Sequence, residues 1–284
     1  MSSNWDDTHS AVHIMNPESW VLYASNTFAS RLIVFVHGFG GKALSSWQNF
    51  PDFQDRGVWW LNADMLFIGY KSSRDSITGV SSRIRRNLPQ FYPSAPQYLL
   101  NIHGEEVRPD TNSRYEELVL VGHSLGGLIL RHAMAQEAQE LVNRPRDLRS
   151  AQERHPLLEG KLRLFSPASG GFRKAGDLAM LAEYAGIWPA VETWLRRASA
   201  YTDLQPGSVM LSDTRRRTEL LAGGGNFDSL RADILWANPD KIVIESSYDT
   251  DYSSQSIDKK THRSVCKPNQ RYPEPWDFVE SGGI

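Results

Sequence analysis

Residues 115–130 read Tyr115-Glu116-Glu117-Leu118-Val119-Leu120-Val121-Gly122-His123-Ser124-Leu125-Gly126-Gly127-Leu128-Ile129-Leu130. Leu118 to Val121 has the composition of a short strand buried on both faces. Gly122-His123-Ser124-Leu125-Gly126 then turns the chain sharply. From Gly127 onward, Leu128, Leu130, Ala133, Met134 and Ala135 suit a buried helix. Strand, tight turn and helix make the context that a G-x-S-x-G elbow requires. A serine there is held in strained backbone, and Gly122 and Gly126 stand where neighbouring backbone leaves no room for a side chain. The strain lifts the hydroxyl above the sheet edge, where a base can reach it. Glycine-rich turns occur in many α/β proteins, but the strand before and the helix after favour Ser124 as a nucleophile.

Upstream, residues 1–19 are polar and read as a loosely held arm with a short edge strand at Ala11 to Met15, followed by a strand from Trp20 to Ala24. Arg31 to Val36 is rich in β-branched and aromatic residues, the mark of a buried strand. It runs into the loop His37-Gly38-Phe39-Gly40-Gly41. A helix is predicted to begin around Ser45-Ser46-Trp47. Trp59 to Ile68 reads as the next strand region, and Ser76 to Leu88 as a helix with Arg83, Arg85 and Arg86 on its wet side. Residues 89–114 form an irregular connection.

Downstream, the helix decays at Asn143-Arg144-Pro145, and Arg146 to Glu159 is charged and predicted to be exposed. Leu162 to Phe165 is another strand. This alternation predicts a mostly parallel sheet covered by helices on both faces, with ligands bound beyond the carboxyl ends of the strands. Residues 172–229 break the alternation. Leu178, Leu181, Ala182, Ala185 and Trp188, then Val191, Trp194, Leu195 and Ala198 after Pro189, fall at helical spacing. The stretch ends at Gly223-Gly224-Gly225. It is predicted to be a helical cap inserted in a single domain that spans residues 1–284.

A serine hydroxyl needs a base within hydrogen-bond reach and a carboxylate to orient that base. In a nucleophile-elbow enzyme these follow in the order Ser, acid, His. Of the eight histidines, five precede Ser124. His132 lies in the helix leaving the elbow, and His155 precedes a strand with no later loop to hold it. His262 is left as the base. For the acid, Leu230, Ala232, Ile234 and Trp236 alternate as a strand that ends in the turn Ala237-Asn238-Pro239-Asp240. Asp240 is favoured on that strand-end turn. Asp249 and Asp251 stay open as rivals, because Ile242 to Ile244 can itself be read as the last strand. The oxyanion needs two fixed donors. Leu125 N–H, after the nucleophile, and Phe39 N–H, in the glycine loop, are the candidates.

Composition narrows the partners. Hydrophobic residues make up 40% and charged residues 23%, with a formal net charge of −2. Nothing in that balance points to nucleic acid or an anionic membrane. Cys266 is the single cysteine, so an internal disulfide is excluded. No basic segment followed by an apolar core opens the chain, and no apolar run approaches the ~20 residues of a membrane span. A cytoplasmic protein without a metal site or cofactor is expected.

Together, His37-Gly38-Phe39-Gly40-Gly41, Gly122-His123-Ser124-Leu125-Gly126-Gly127 and the stretch from Ala237 to His262 resemble the α/β-hydrolase superfamily, within it the lipase-like serine esterases. The run from Asp240 to Val243 is similar to that family's Gly-x-x-Asp-x-x-Val acid turn, with Ala237 standing where glycine is usual. His262-Arg263-Ser264-Val265-Cys266-Lys267-Pro268 is also similar to the subgroup's ending. The resemblance implies an α/β-hydrolase fold and hydrolysis of a small-molecule or lipid acyl ester, or of a thioester, without a cofactor. The alternative from another class is a catalytically silent protein of the same fold that binds a ligand or signals.

Overall fold

The computed structural model describes residues 8–14, 20–47, 49–51, 57–102, 105–110, 113–144, 154–173 and 202–284. Among these, one sheet holds eight strands. They are β1 (His9–Ile14), β2 (Trp20–Ser25), β3 (Arg31–Val36), β4 (Ala63–Ile68), β5 (Glu117–His123), β6 (Lys161–Phe165), β7 (Ala232–Asn238) and β8 (Ser253–Asp258). Their spatial order is β1-β2-β4-β3-β5-β6-β7-β8. β2 runs antiparallel to both of its neighbours, and the strands from β4 to β8 are mutually parallel. Among the described residues, four helices longer than one turn flank the sheet: α1 (Ile77–Asn87), α2 (Leu125–Asn143), α3 (Val209–Gly223) and α4 (Glu274–Ser281).

The period of two along the strands builds two apolar layers. Leu32, Val34 and Val36 of β3 enter one layer with Leu118 and Leu120 of β5. Ile33 and Phe35 enter the other with Val119 and Val121. α1 and α2 cover the first layer through Val80, Ile84, Leu128 and Ile129. The second is closed by Trp276 and Phe278 of α4 and by the loop rings Trp47 and Phe50, which pack with Phe35 of β3. α1 is capped by Ser76, whose hydroxyl accepts from Gly79 N–H at 3.1 Å. α2 is buried over most of its circumference because it lies between the sheet and its neighbours.

The mostly parallel sheet flanked by helices is the architecture expected from the sequence, with local differences. Ser45 to Trp47 forms turns rather than a helix. There the Trp47 and Phe50 rings drop onto Phe35, with centroids 5.1 Å and 5.0 Å away, and that packing overrides helix propensity. Val58–Leu61 is a single helical turn ahead of β4. Pro156, Leu157 and Leu158, expected to be exposed, are buried in the first layer beneath α2. The connection at 89–114 includes a two-strand hairpin, Asn101–Ile102 with Glu105–Glu106. Ile242 to Ile244 is no strand; Val243 makes only an isolated bridge to Phe172.

Two elements were not legible. β8, Ser253-Ser254-Gln255-Ser256-Ile257-Asp258, is polar because it is the edge strand and has no continuous apolar face to bury. α4 is short, with Pro273 at its N-cap and Pro275 in its first turn. The helical run expected at 178–198 lies outside the described residues. The described remainder of that stretch carries α3, which packs on α2; His132 Nδ1 and Thr214 Oγ1 meet there at 3.0 Å.

One buried ion pair locks the antiparallel end to the connection at 89–114. Arg108 Nη1 donates to both oxygens of Asp64 on β4 at 2.8 and 3.0 Å, and both side chains are fully buried. Tyr115 Oη (2.6 Å) and Ser25 N–H (2.8 Å) also donate to that carboxylate. Removing one partner of such a pair strands a buried charge. Arg108→Met is therefore expected to lower unfolding free energy by about 3 kcal/mol or more in urea titrations; a loss below about 1 kcal/mol would show that Asp64 is satisfied without it.

Candidate active site

The chain leaves β5 at Ser124 with φ 54° and ψ −121°. A non-glycine residue in that region is strained and persists only where its surroundings fix it. Three backbone hydrogen bonds do so. Ser124 N–H donates to Phe165 O at 3.0 Å, and Ser124 O accepts from Gly127 N–H (3.1 Å) and Ala168 N–H (3.0 Å). Two glycines make the turn possible through space rather than conformation. A Cβ at Gly126 would lie 2.1 Å from Val36 O, and one at Gly122 would lie 2.6 Å from Gly127 Cα.

Three side chains distant in sequence meet above the carboxyl ends of the strands. Ser124 Oγ lies 2.9 Å from His262 Nε2. His262 Nδ1 lies 2.8 Å from Asp240 Oδ2. The other carboxylate oxygen, Oδ1, accepts from the backbone N–H groups of Ile242 (2.9 Å) and Val243 (3.1 Å). Two amides and an imidazole thus hold the carboxylate, and all three side chains of the line are buried. Burial pushes the Asp240 carboxyl up, but the hydrogen bond from His262, its charge and the two amides outweigh this and hold it below the usual carboxylate range. Asp240 therefore stays ionised and fixes a proton on Nδ1, which leaves Nε2 to accept from the serine.

The rival carboxylates are engaged elsewhere. Asp251 receives Arg131 Nη2 at 2.7 and 2.9 Å, together with the N–H groups of Tyr248 (2.7 Å) and Ala232 (3.2 Å). The Asp249 side chain is 89% exposed and lies 3.4 Å from Arg215.

The two expected oxyanion donors belong to the segments next to Ser124. Leu125 opens α2, so its N–H has no acceptor within the helix. Phe39 sits in the loop after β3, and that loop crosses Ser124 so closely that a Cβ at Gly38 would lie 2.8 Å from Ser124 Cβ. Residues that the sequence did not single out hold this loop. Tyr70 stacks on His37 with ring centroids 4.1 Å apart and 4° between planes. Its hydroxyl donates to His37 O at 2.7 Å, and its N–H to His37 Nε2 at 3.3 Å. Ser72 Oγ accepts from Gly40 N–H at 2.9 Å. Neither Tyr70 nor Ser72 carries a sequence signal, because their role comes from the adjacency of β3 and β4. Phe39 itself meets Phe172 edge to face, with centroids 6.1 Å apart. Among the described residues, no three His, Cys, Asp or Glu side chains cluster as metal ligands, and no helix is long and apolar enough to cross a membrane.

The sequence matches the model of the alpha/beta hydrolase family over residues 33–275. No curated protein matches it in sequence. Solved structures similar in fold include a lipase of Bacillus licheniformis in mature form, 18% identical, covering 90% of this chain and 93% of that one with a TM-score of 0.50. An esterase/lipase from an uncultured bacterium is 13% identical over 98% of this chain and 86% of its own, with a TM-score of 0.51. Carboxyl esterase 2 from the mycorrhizal fungus Tuber melanosporum is 12% identical over 98% and 85%, with a TM-score of 0.50.

Two histidines beside the site are kept neutral. Burial brings His37 down to about 4. Burial, and next the neighbouring charge of His262, bring His123 down to about 3. An unfolded histidine titrates near 6.5, so below that pH the unfolded chain binds more protons than the folded one. Stability is then full above about pH 6.5 and falls as pH drops towards about 4 and about 3. Urea midpoints are expected to decline from pH 6.5 downward, above the carboxylate range; midpoints flat down to about pH 5 would overturn this.

Proposed function

The chain belongs to the alpha/beta hydrolase family, and from that premise we propose that it is a serine hydrolase of carboxylic esters, with Ser124 as nucleophile, His262 as base and Asp240 as acid. The observation that carries the reading is the unbroken line from Ser124 Oγ to His262 Nε2 at 2.9 Å and from His262 Nδ1 to Asp240 at 2.8 Å. A chain that only binds a ligand has no need of that alignment, nor of the strained serine.

In this reading Ser124 Oγ bonds to the ester carbonyl carbon while its proton passes to His262 Nε2. The N–H groups of Leu125 and Phe39 receive the charge that develops on the carbonyl oxygen. When the tetrahedral adduct collapses, the C–O bond to the alcohol breaks and the alcohol leaves with the proton from Nε2. The acyl group stays on Ser124. A water molecule then gives a proton to Nε2 and bonds to the acyl carbon. The Oγ–C bond breaks, the proton returns to Oγ, and a carboxylic acid departs. Asp240 remains ionised throughout and steadies the imidazolium. A thioester follows the same course with a thiol as leaving group. The fold of the compared esterases and lipases supports a substrate of this kind.

The test is active-site labelling together with turnover of p-nitrophenyl esters of graded chain length. A fluorophosphonate is expected to label the protein on Ser124, and Ser124→Ala to abolish labelling; label that persists in that variant would remove the assignment. Asp240→Asn is expected to cut kcat by about 10³-fold or more while the fold survives. Asp251→Asn is expected to do the reverse, with a stability loss of about 2 kcal/mol or more from its broken hydrogen bonds and kcat per folded molecule within about threefold.

A further inference from the structure

His123, the residue before the nucleophile, reaches across to the loop that carries the base. Its Nε2 lies 2.7 Å from the backbone carbonyl of His262. A carbonyl only accepts, so Nε2 carries the ring proton and donates it. The ring is boxed into that orientation. A Cβ on Gly38 would lie 2.9 Å from its Nδ1, the Trp47 ring meets it edge-on at 6.3 Å, and the His262 ring lies 4.8 Å away. Within the His262 loop, Ser264 and Val265 N–H both return to Thr261 O at 3.0 Å, and Tyr272 Oη donates to Val265 O at 2.8 Å; the His123 bond is the one made to the carbonyl of His262 itself.

His262 is tied through its ring to Ser124 and Asp240, and through its main chain to His123. The ring tie to Ser124 must break each time Oγ bonds to a carbonyl carbon. The tie through the main chain involves none of the reacting atoms. We propose that His123 is a positioning residue, whose ring N–H holds the His262 carbonyl and so keeps the imidazole at one height over Ser124 through acylation and deacylation. This rests on the serine-hydrolase reading above. The brace is also constant with pH, because burial and the nearby His262 charge keep the His123 ring neutral down to about 3.

The experiment compares His123→Gln, whose side-chain amide N–H reaches about as far as Nε2, with His123→Phe, which keeps a ring and loses the donor. Three quantities are read: the rate of fluorophosphonate inactivation, kcat and KM on a p-nitrophenyl ester, and the downfield proton resonance of His262 Nδ1–H facing Asp240. His123→Phe is expected to lose about ten- to a hundredfold in kcat and in inactivation rate, with KM within about twofold and the downfield resonance broadened or absent. His123→Gln is expected to stay within about fivefold of the parent on both rates and to keep the resonance. A purely structural role would lower the melting temperature in both variants without this separation. If His123→Phe does not fold, His123→Asn, too short to reach the carbonyl, takes its place with the same expectation. Equal rates in the donor-less variant and the parent would overturn the proposal, as would a Gln variant as slow as the donor-less one. Failure of the parent itself to label on Ser124 would overturn the hydrolase reading instead.

Discussion

Everything at the site depends on one backbone conformation, that of Ser124 at φ 54°. Such a residue relaxes unless its neighbours forbid it. Here β6, the loop after it and the first turn of α2 each take one of its backbone hydrogen bonds, while the exit of β3 packs against Gly126 and, through Gly38, against Ser124 itself. The sheet order places β3 and β6 on either side of β5, so these restraints come from the strands next to the one that delivers Ser124. The glycines are needed because backbone approaches there to distances that no Cβ tolerates. The strained turn and the parallel sheet are thus one arrangement: the sheet supplies the walls and the turn projects the hydroxyl above them.

The polar line built on that hydroxyl has its own support. Asp240 is ionised despite burial because an imidazole and two amide groups donate to it. His262 is held by its ring and by its carbonyl, and the loop over Ser124 is held by Tyr70 and Ser72. In a medium poor in water these fixed dipoles need no reorganisation when charge develops, which is how such sites lower a barrier. Away from the mouth, charged side chains serve stability. Asp64 pairs with Arg108, and Asp251 with Arg131, inside the protein, and neither pair faces a ligand in the proposed reaction.

What was legible in the sequence was whatever leaves a local pattern. Leu118–Val121 and Arg31–Val36 are mainly apolar runs that lead into glycine-bearing turns, and their strands and turns follow from composition alone. Ser124 stood out by its flanking glycines, and His262 by the order of groups that an elbow imposes. The loop at 37–41 was legible as a glycine-rich strand exit. β8 left no pattern, because its half-buried face carries Ser253, Gln255 and Ile257, so its alternation of burial has no matching alternation of hydropathy. Trp47 belonged to a turn rather than a helix because its ring is drawn into the second apolar layer. Pro156 to Leu158 were masked by charged neighbours in sequence that are not their neighbours in space.

The sequence by itself determined the class of fold, the elbow and the identity of the late histidine, since hydrophobic period and glycine placement are local properties of the chain. Only the tertiary structure decided which aspartate faces that histidine. Asp240 and Asp251 both lie between β7 and β8 and are chemically alike, yet one turns towards His262 and the other towards Arg131. The structure alone likewise paired His123 with the His262 carbonyl and Tyr70 with His37. A hydrogen bond between residues far apart in the chain is fixed by where the strands carry them, and no stretch of sequence encodes that distance.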